Sequence, residues 1–311
     1  MGAIEVDGLT KDYGEVLAND GVAFDVADGE VFGYLGPNGA GKTTTIRTLM
    51  GFQSPTAGTA TVLDADVREE SELIAAKERI GYLPANPAFD ETVTGRQVLD
   101  LHGSIKGERR RTELLELFDP PLDRKIRDYS TGNVQKLGLV QAFMHDPDLV
   151  VMDEPTAGLD PLMQQRFNDF VRAEREAGTT VFLSSHVLSE VRRICDRVGI
   201  IREGRIVAVE RVVDLLGRSG KSVRARVAGS VEASDVTIDG VHDLAVRAAD
   251  LGSEEVAVGG DPVSGPATEL TFTYTGDVNE LVDFLDGCDL LELDVEEAPL
   301  EDVFMRFYGD D

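Results

Sequence analysis

Five residues stand where they could act together on a polyphosphate: a lysine beside a threonine, two adjacent carboxylates, and a histidine after an apolar run. Lys42 and Thr43 close the run Gly36-Pro37-Asn38-Gly39-Ala40-Gly41-Lys42-Thr43. That run fits the phosphate-loop pattern G-x-x-x-x-G-K-[ST] at every fixed position. Several backbone N–H groups must converge on one anion, so the loop needs glycines that tolerate positive φ and a close backbone approach. Lys42 brings a mobile positive charge for the β- and γ-phosphates, and the Thr43 hydroxyl is placed to ligate Mg²⁺. From Thr44 to Met50 the chain reads as a helix stopping at Gly51, with its free N–H groups and positive dipole end on the same anion. This is the pattern of a nucleotide site.

The carboxylates belong to Asp148-Leu149-Val150-Val151-Met152-Asp153-Glu154-Pro155, an apolar strand with two acids at its tip. Beside a phosphate loop, Asp153 is suited to hold Mg²⁺, often through water, and Glu154 to orient or deprotonate an attacking water. His186 follows the buried strand expected over Thr179 to Ser184, at the end of the sheet that carries Lys42 and Asp153, a place suited to sensing phosphate. Two further segments leave alternatives open. Tyr13 could stack on a nucleobase or simply pack beside a turn. Ser130, Thr131, Gly132 and Asn133 lead into an amphipathic helix expected over Val134 to Met144, and could touch phosphate or only cap that helix.

The elements that must position these groups can be read around them. Val31 to Leu35 is a short apolar run, hence a buried strand before the loop. Ala3 to Gly8 and Val16 to Val26 alternate as strands of an antiparallel lobe, with another strand near Thr59 to Leu63. A helix is expected over Glu69 to Arg79, then a buried strand from Ile80 ending at Pro84. Thr94 to Phe118 is helical and charged, interrupted by Gly103 and Gly107, and reads as a small helical subdomain inserted over about residues 85–135. Ala157-Gly158-Leu159-Asp160 forms a turn before a helix from Pro161 to Ala177.

Composition narrows the class. The 311 residues include 58 acidic and 30 basic side chains, a net charge of −28, with 42% hydrophobic residues. Only seven of the basic residues are lysines (11, 42, 77, 106, 125, 136 and 221). An acidic, lysine-poor surface suits a protein kept soluble in concentrated salt, where self-repulsion is screened. It also repels nucleic acid, so no nucleic-acid partner is expected. Cys195 and Cys288 lack metal-ligand spacing and read as reduced thiols of a cytosolic protein. No apolar run reaches the roughly 18 residues of a membrane span, so a membrane role would run through a partner chain.

In order and identity these motifs resemble the nucleotide-binding subunit of ABC transporters, over Ile4 to about Leu216. The resemblance implies an α/β P-loop NTPase fold with an antiparallel β lobe and a helical subdomain, binding ATP and Mg²⁺ and hydrolysing ATP. It makes Tyr13 the adenine stacker and Gly36, Pro37, Asn38, Gly39, Ala40, Gly41, Lys42, Thr43 and Thr44 the phosphate site. Thr43 and Asp153 would serve the metal, Glu154 would be the catalytic carboxylate, and His186 would contact the γ-phosphate. Ser130, Thr131, Gly132 and Asn133 would reach ATP held by a second copy, with Asp160 at the interface of a head-to-tail homodimer. Two positions depart from the family. The signature usually reads Leu-Ser-Gly-Gly-Gln where this chain has Tyr129-Ser130-Thr131-Gly132-Asn133, and the glutamine expected after Leu83-Pro84 aligns with Ala85, with Asn86 the nearest amide.

Domain organisation follows a change of texture at residue 219. Ser219 to Asp311 carries 22 acidic and 5 basic residues, against 36 and 25 in the longer stretch before it. The expectation is a nucleotide-binding domain over 1–218 and an acidic α+β domain over 219–311. Its strands are expected at Val223 to Val227, Leu244 to Arg247, Leu270 to Tyr274 and Leu290 to Val295, its helices at Asn279 to Leu285 and Leu300 to Phe307, and a loop over Gly259 to Pro266. The ending Ala298-Pro299-Leu300-Glu301-Asp302-Val303-Phe304 resembles the tail of ATPases in the type-two exporter class, which work with a separate membrane permease. That resemblance implies a place at the cytoplasmic face of the cell membrane. A soluble ABC-type ATPase of translation or DNA repair is the alternative, and a small-molecule kinase would have no use for the Ser130 segment.

Overall fold

Alternation of apolar and polar residues, interrupted by glycine turns, sets the first elements in the computed structural model, which describes residues 2–250, 256–258, 261–263 and 266–297. Strand β1 (Ile4–Asp12) runs past its expected end because Gly8, at φ 60°, absorbs a register shift rather than stopping the ladder. It pairs antiparallel with β2 (Leu17–Val26), after which β3 (Val31–Leu35) enters a second sheet fully buried. Helix α1 (Lys42–Leu49) follows the phosphate loop, and β4 (Ala57–Val62) and β5 (Ala65–Asp66) complete a four-stranded antiparallel sheet of order β2-β1-β4-β5.

Helix α2 (Glu70–Lys77) leads to β6 (Ile80–Leu83), and a helical layer then departs from the sheet. Helix α3 (Gly95–Lys106) opens on a capping box between Thr94 and Gln97. It passes through Gly103 without a break and ends at Gly107, at φ 94°. The expected interruption at Gly103 is therefore corrected. A Cβ there would lie 2.9 Å from Glu108 Oε2, so this glycine serves a close approach. Helix α4 (Arg111–Phe118) is followed by α5 (Thr131–Phe143), which starts three residues earlier than the sequence reading because Ser130 is its cap.

The remaining core strands are β7 (Leu149–Asp153) and, after helix α6 (Pro161–Glu176), β8 (Thr180–Ser185). Helix α7 (Leu188–Ile194) and the hairpin of β9 (Arg197–Arg202) and β10 (Arg205–Arg211) were not anticipated. The second sheet has the order β10-β9-β3-β8-β7-β6, parallel except for β10. Its parallel strands are near-continuous apolar runs, as strands covered on both faces must be. Phe24 on β2 stacks on Phe32 and Phe182 with ring centroids 5.4 and 5.7 Å apart, joining the two sheets through one aromatic cluster.

The chain divides into two compact units, Met1–Val212 and Val213–Asp311. After α8 (Val212–Ser219), the second unit contains β11 (Lys221–Ala228), β12 (Val241–Asp250), β13 (Val256–Val258), β14 (Asp261–Val263), β15 (Pro266–Tyr274), α9 (Val278–Asp286) and β16 (Leu290–Glu297). An antiparallel sheet of order β12-β15-β11-β16 lays Val223, Ala225, Leu270 and Phe272 against Leu281 and Leu285 of α9. The stretch Gly259 to Pro266, expected as a loop, instead holds β14 and the start of β15 in its described part. Residues 259–260 and 264–265 lie outside the described residues, as do the expected helix Leu300 to Phe307 and the tail Ala298 to Phe304.

Candidate functional site

Parallel register brings the site together. Leu35 stands beside Ser185, and Asp153 beside Ser184, so the chain leaves β3, β7 and β8 at the same edge of the sheet. Ligands of open α/β sheets sit outside these carboxyl ends. The cavity there measures about 430 Å³ and is lined by Pro37, Asn38, Gly39, Gly41, Lys42, Thr43 and Thr44 of the loop, by Asp153 and Glu154, and by Ala85.

The loop is shaped by contacts that turn its carbonyls toward the protein. The Gly204 amide donates to Ala40 O at 3.0 Å, the Ala40 amide to Pro37 O at 3.2 Å, and the Asn19 side chain to Gly41 O at 3.4 Å. Gly41 adopts φ 107°, and a Cβ there would lie 2.4 Å from Ala18 O. Gly36 is equally confined, since its Cβ would meet Ile201 O at 2.5 Å. Neither Gly36 nor Ala40 lines the cavity, and the Ala40 side chain belongs to the core. Meanwhile the amides of Asn38, Gly39, Gly41, Lys42, Thr43 and Thr44 find no protein acceptor among the described residues. Free amides at a loop and helix start are what an anion requires.

Charged side chains converge on the same place. Lys42, 6% exposed, donates to Gly36 O at 2.6 Å and to Pro37 O at 3.3 Å, with its Nζ 3.4 Å from Glu154 Oε1. Thr43 donates its hydroxyl to Asp153 Oδ2 at 2.7 Å, while the Ser184 hydroxyl donates to Asp153 Oδ1 at 2.5 Å. Glu154 holds a left-handed backbone at φ 51°, and its Oε2 lies 2.8 Å from His186 Nδ1. Lys42, Glu154 and His186 thus form one connected group with Thr43 and Asp153 paired beside it, although His186 itself is exposed and does not line the cavity.

Other residues singled out in the sequence stand apart from it. Tyr13 is 55% exposed, donates its hydroxyl to Gln53 Oε1 at 2.6 Å and does not line the cavity. Ser130 Oγ accepts the Asn133 amide at 3.3 Å as the cap of α5, and a Cβ on Gly132 would lie 2.6 Å from Gly158 O. Asp160 caps α6 by accepting the Met163 amide at 2.9 Å. None of Ser130, Thr131, Gly132, Asn133 and Asp160 reaches the cavity of its own chain, and Asn86 is exposed beside Ala85 without lining it. In turn, Val16, Leu17, Ala18, Glu203 and Gly204 line it and were missed. The Glu203-Gly204 pair, between two apolar runs, was the one local sign of the hairpin that brings it there.

Comparison with known proteins gives the family. The ABC transporter family matches residues 19–157. The daunorubicin resistance ATP-binding protein DrrA3 of Streptomyces coeruleorubidus is 35% identical, over 99% of this chain and 96% of its own. The Nod factor export ATP-binding protein I of Mesorhizobium japonicum is 33% identical, over 99% of this chain and 87% of its own. A solved ATP-binding subunit of an ABC transporter superposes with a TM-score of 0.63 at 30% identity, covering 68% of this chain and 91% of that one. With a phosphate loop, two carboxylates and a histidine meeting at one sheet edge, and with such relatives along its whole length, the chain belongs to the ATP-binding proteins of the ABC transporter family.

Proposed function

We propose that this chain binds and hydrolyses Mg²⁺-ATP to drive a separate membrane permease, working as an exporter's engine at the cytoplasmic face of the membrane. The observation that carries this reading is the connected group from Lys42 through Glu154 to His186, with Thr43 and Asp153 in contact beside it. Thr43 and Asp153 offer hard oxygen donors at the cavity, a set that fits Mg²⁺. When bound, that cation neutralises charge on the β- and γ-phosphates. Lys42 and the loop amides hold the phosphates, Tyr13 stacks on adenine, Glu154 takes a proton from the attacking water, and His186 contacts the γ-phosphate.

Ser130, Thr131, Gly132 and Asn133 act in a second copy. They cannot serve the cavity of their own chain, which supports a head-to-tail homodimer closing on two nucleotides with Asp160 at the interface. No helix among the described residues is long and apolar enough to cross a membrane, which is why a separate permease is invoked. Export is supported by relatives named for drug resistance and Nod factor export. The net charge of −28 supports work in concentrated salt.

The test is Glu154→Gln in the full chain. A general base contributes about 10²–10⁴-fold to rate, so the variant should bind Mg²⁺-ATP, dimerise on it in sizing experiments in concentrated salt, and turn over slower by that factor. Hydrolysis near the wild-type rate would refute the role of Glu154. A protein that stays monomeric at saturating nucleotide would refute the shared site.

A further inference from the structure

Ser184 has no exposed surface and sits at the junction of the two carboxylates. Its hydroxyl donates to Asp153 Oδ1 at 2.5 Å and accepts the backbone N–H of Glu154 at 3.1 Å. A serine has one hydroxyl proton, so these two bonds fix its direction: Glu154 N–H to Ser184 Oγ, and Ser184 O–H to Asp153. The Ser184 carbonyl accepts the same Glu154 amide at 3.2 Å. Parallel pairing of β7 with β8 at Asp153 and Ser184 makes these contacts possible.

Both partners need holding. Glu154 turns its backbone to φ 51°, a region that a non-glycine residue keeps only when its surroundings impose it. Asp153 is 2% exposed, and its two oxygens are met by Ser184 and by Thr43. In the reading proposed above, on which this inference rests, Thr43 shares its hydroxyl oxygen with the cation, whereas the Ser184 hydroxyl serves Asp153 and Glu154 alone. We propose that Ser184 is a positioning residue for hydrolysis: one hydroxyl sets the rotation of the metal-holding carboxylate and the backbone turn that aims the catalytic one. It touches neither nucleotide nor water itself and acts through Asp153 and Glu154.

Two variants of the full chain test this, Ser184→Ala and Ser184→Thr, the second keeping a hydroxyl on a strand that accepts β-branched residues. For Ser184→Ala, kcat should fall about 10–100-fold, the order expected when reacting groups are misplaced by a fraction of an ångström to an ångström. KM for ATP should stay within about twofold, since uniform binding is untouched. The Mg²⁺ concentration for half-maximal activity should rise, while binding of a fluorescent ATP analogue in EDTA should not change. Without nucleotide, amide hydrogen exchange at Glu154 should speed up, because one of its two acceptors is gone. Ser184→Thr should recover most of kcat.

Wild-type kcat and Mg²⁺ requirement in Ser184→Ala would overturn the proposal. So would a parallel fall of kcat, Mg²⁺-free nucleotide binding and melting temperature in both variants, which is what simple loss of packing gives. Glu154→Gln, run alongside, separates the two levels. If it hydrolyses normally, the reading of the site fails. If it is inactive while Ser184→Ala is normal, only the role of Ser184 fails.

Discussion

Acidification from pH 7 to pH 5 should loosen the helical layer through His145. This residue follows α5, is 5% exposed, and has both ring nitrogens buried without a hydrogen-bond partner. Its ring meets that of His102, on α3, edge-on with centroids 5.8 Å apart. Burial, then the Lys106 ammonium, then His102 push His145 from the ordinary 6.5 down to about 4. Burial and Lys106 push His102 down to about 4 as well. Lys106 cannot move aside freely, because it donates to Lys77 O at 2.6 Å and to Ile80 O at 2.7 Å. The unfolded chain therefore binds protons that the folded one refuses. Stability from this source is present above pH 6.5 and is lost as pH falls toward 4. For His145 alone the loss between pH 7 and pH 5 is about 2 kcal/mol, from the two binding polynomials.

The perturbation that isolates it is His145→Phe, which keeps an aromatic ring and removes the titration. At pH 7 the variant should match the wild type or exceed it by up to about 1 kcal/mol, since two unpartnered buried nitrogens are gone. Between pH 7 and pH 5, at fixed salt, its urea-derived stability should fall by about 2 kcal/mol less than the wild type's. The difference between the two curves cancels what the carboxylates contribute. An equal fall in both proteins, or an NMR titration placing His145 near 6.5, would refute the reasoning.

Two more substitutions probe the frame around the site. Gly41→Ala places a Cβ 2.4 Å from Ala18 O at φ 107°, so it should abolish measurable nucleotide binding and cost about 1–3 kcal/mol of stability; normal affinity for a fluorescent ATP analogue would contradict the loop geometry. Arg110→Met removes the guanidinium that donates to both oxygens of Glu174, which is 3% exposed. The stranded carboxylate should cost about 3–5 kcal/mol by urea unfolding, and adding Glu174→Leu should restore more than half. Failure of that rescue would mean that the pair is not the source of the loss.

What the sequence disclosed and what it hid divide along physical lines. The loop, the strand tip at Asp153 and Glu154, and the run before His186 are contiguous, so residue type and spacing reveal them. The start of α5 was misplaced because Thr131, Gly132 and Asn133 are poor helix formers that nonetheless follow a serine cap. Gly103 reads as a break because glycine is a poor helix former, whereas its close approach to Glu108 and Met144 exists only in the folded chain. The hairpin β9–β10 and its Glu203-Gly204 tip reach the phosphate loop from some 160 residues away in sequence. The contact of Ser184 with Asp153 is likewise set by parallel strand register, which no neighbouring residues encode. Conversely, the stretch Gly259 to Pro266 reads as a loop for its glycines and prolines, yet Pro262 lies within β14 opposite Ala257 and Pro266 opens β15.

The way the loop carbonyls are engaged has a thermodynamic corollary. Gly204 and Asn19 hold the oxygens of Ala40 and Gly41, and the Ala40 amide holds that of Pro37, so these peptide planes cannot swivel. The ordering of this segment is accomplished during folding, and an arriving triphosphate meets a mould already cast. Only the Lys42 ammonium has to trade partners. Association should therefore be governed by exchange at one amine rather than by reorganisation of eight residues, and its heat-capacity change should be small.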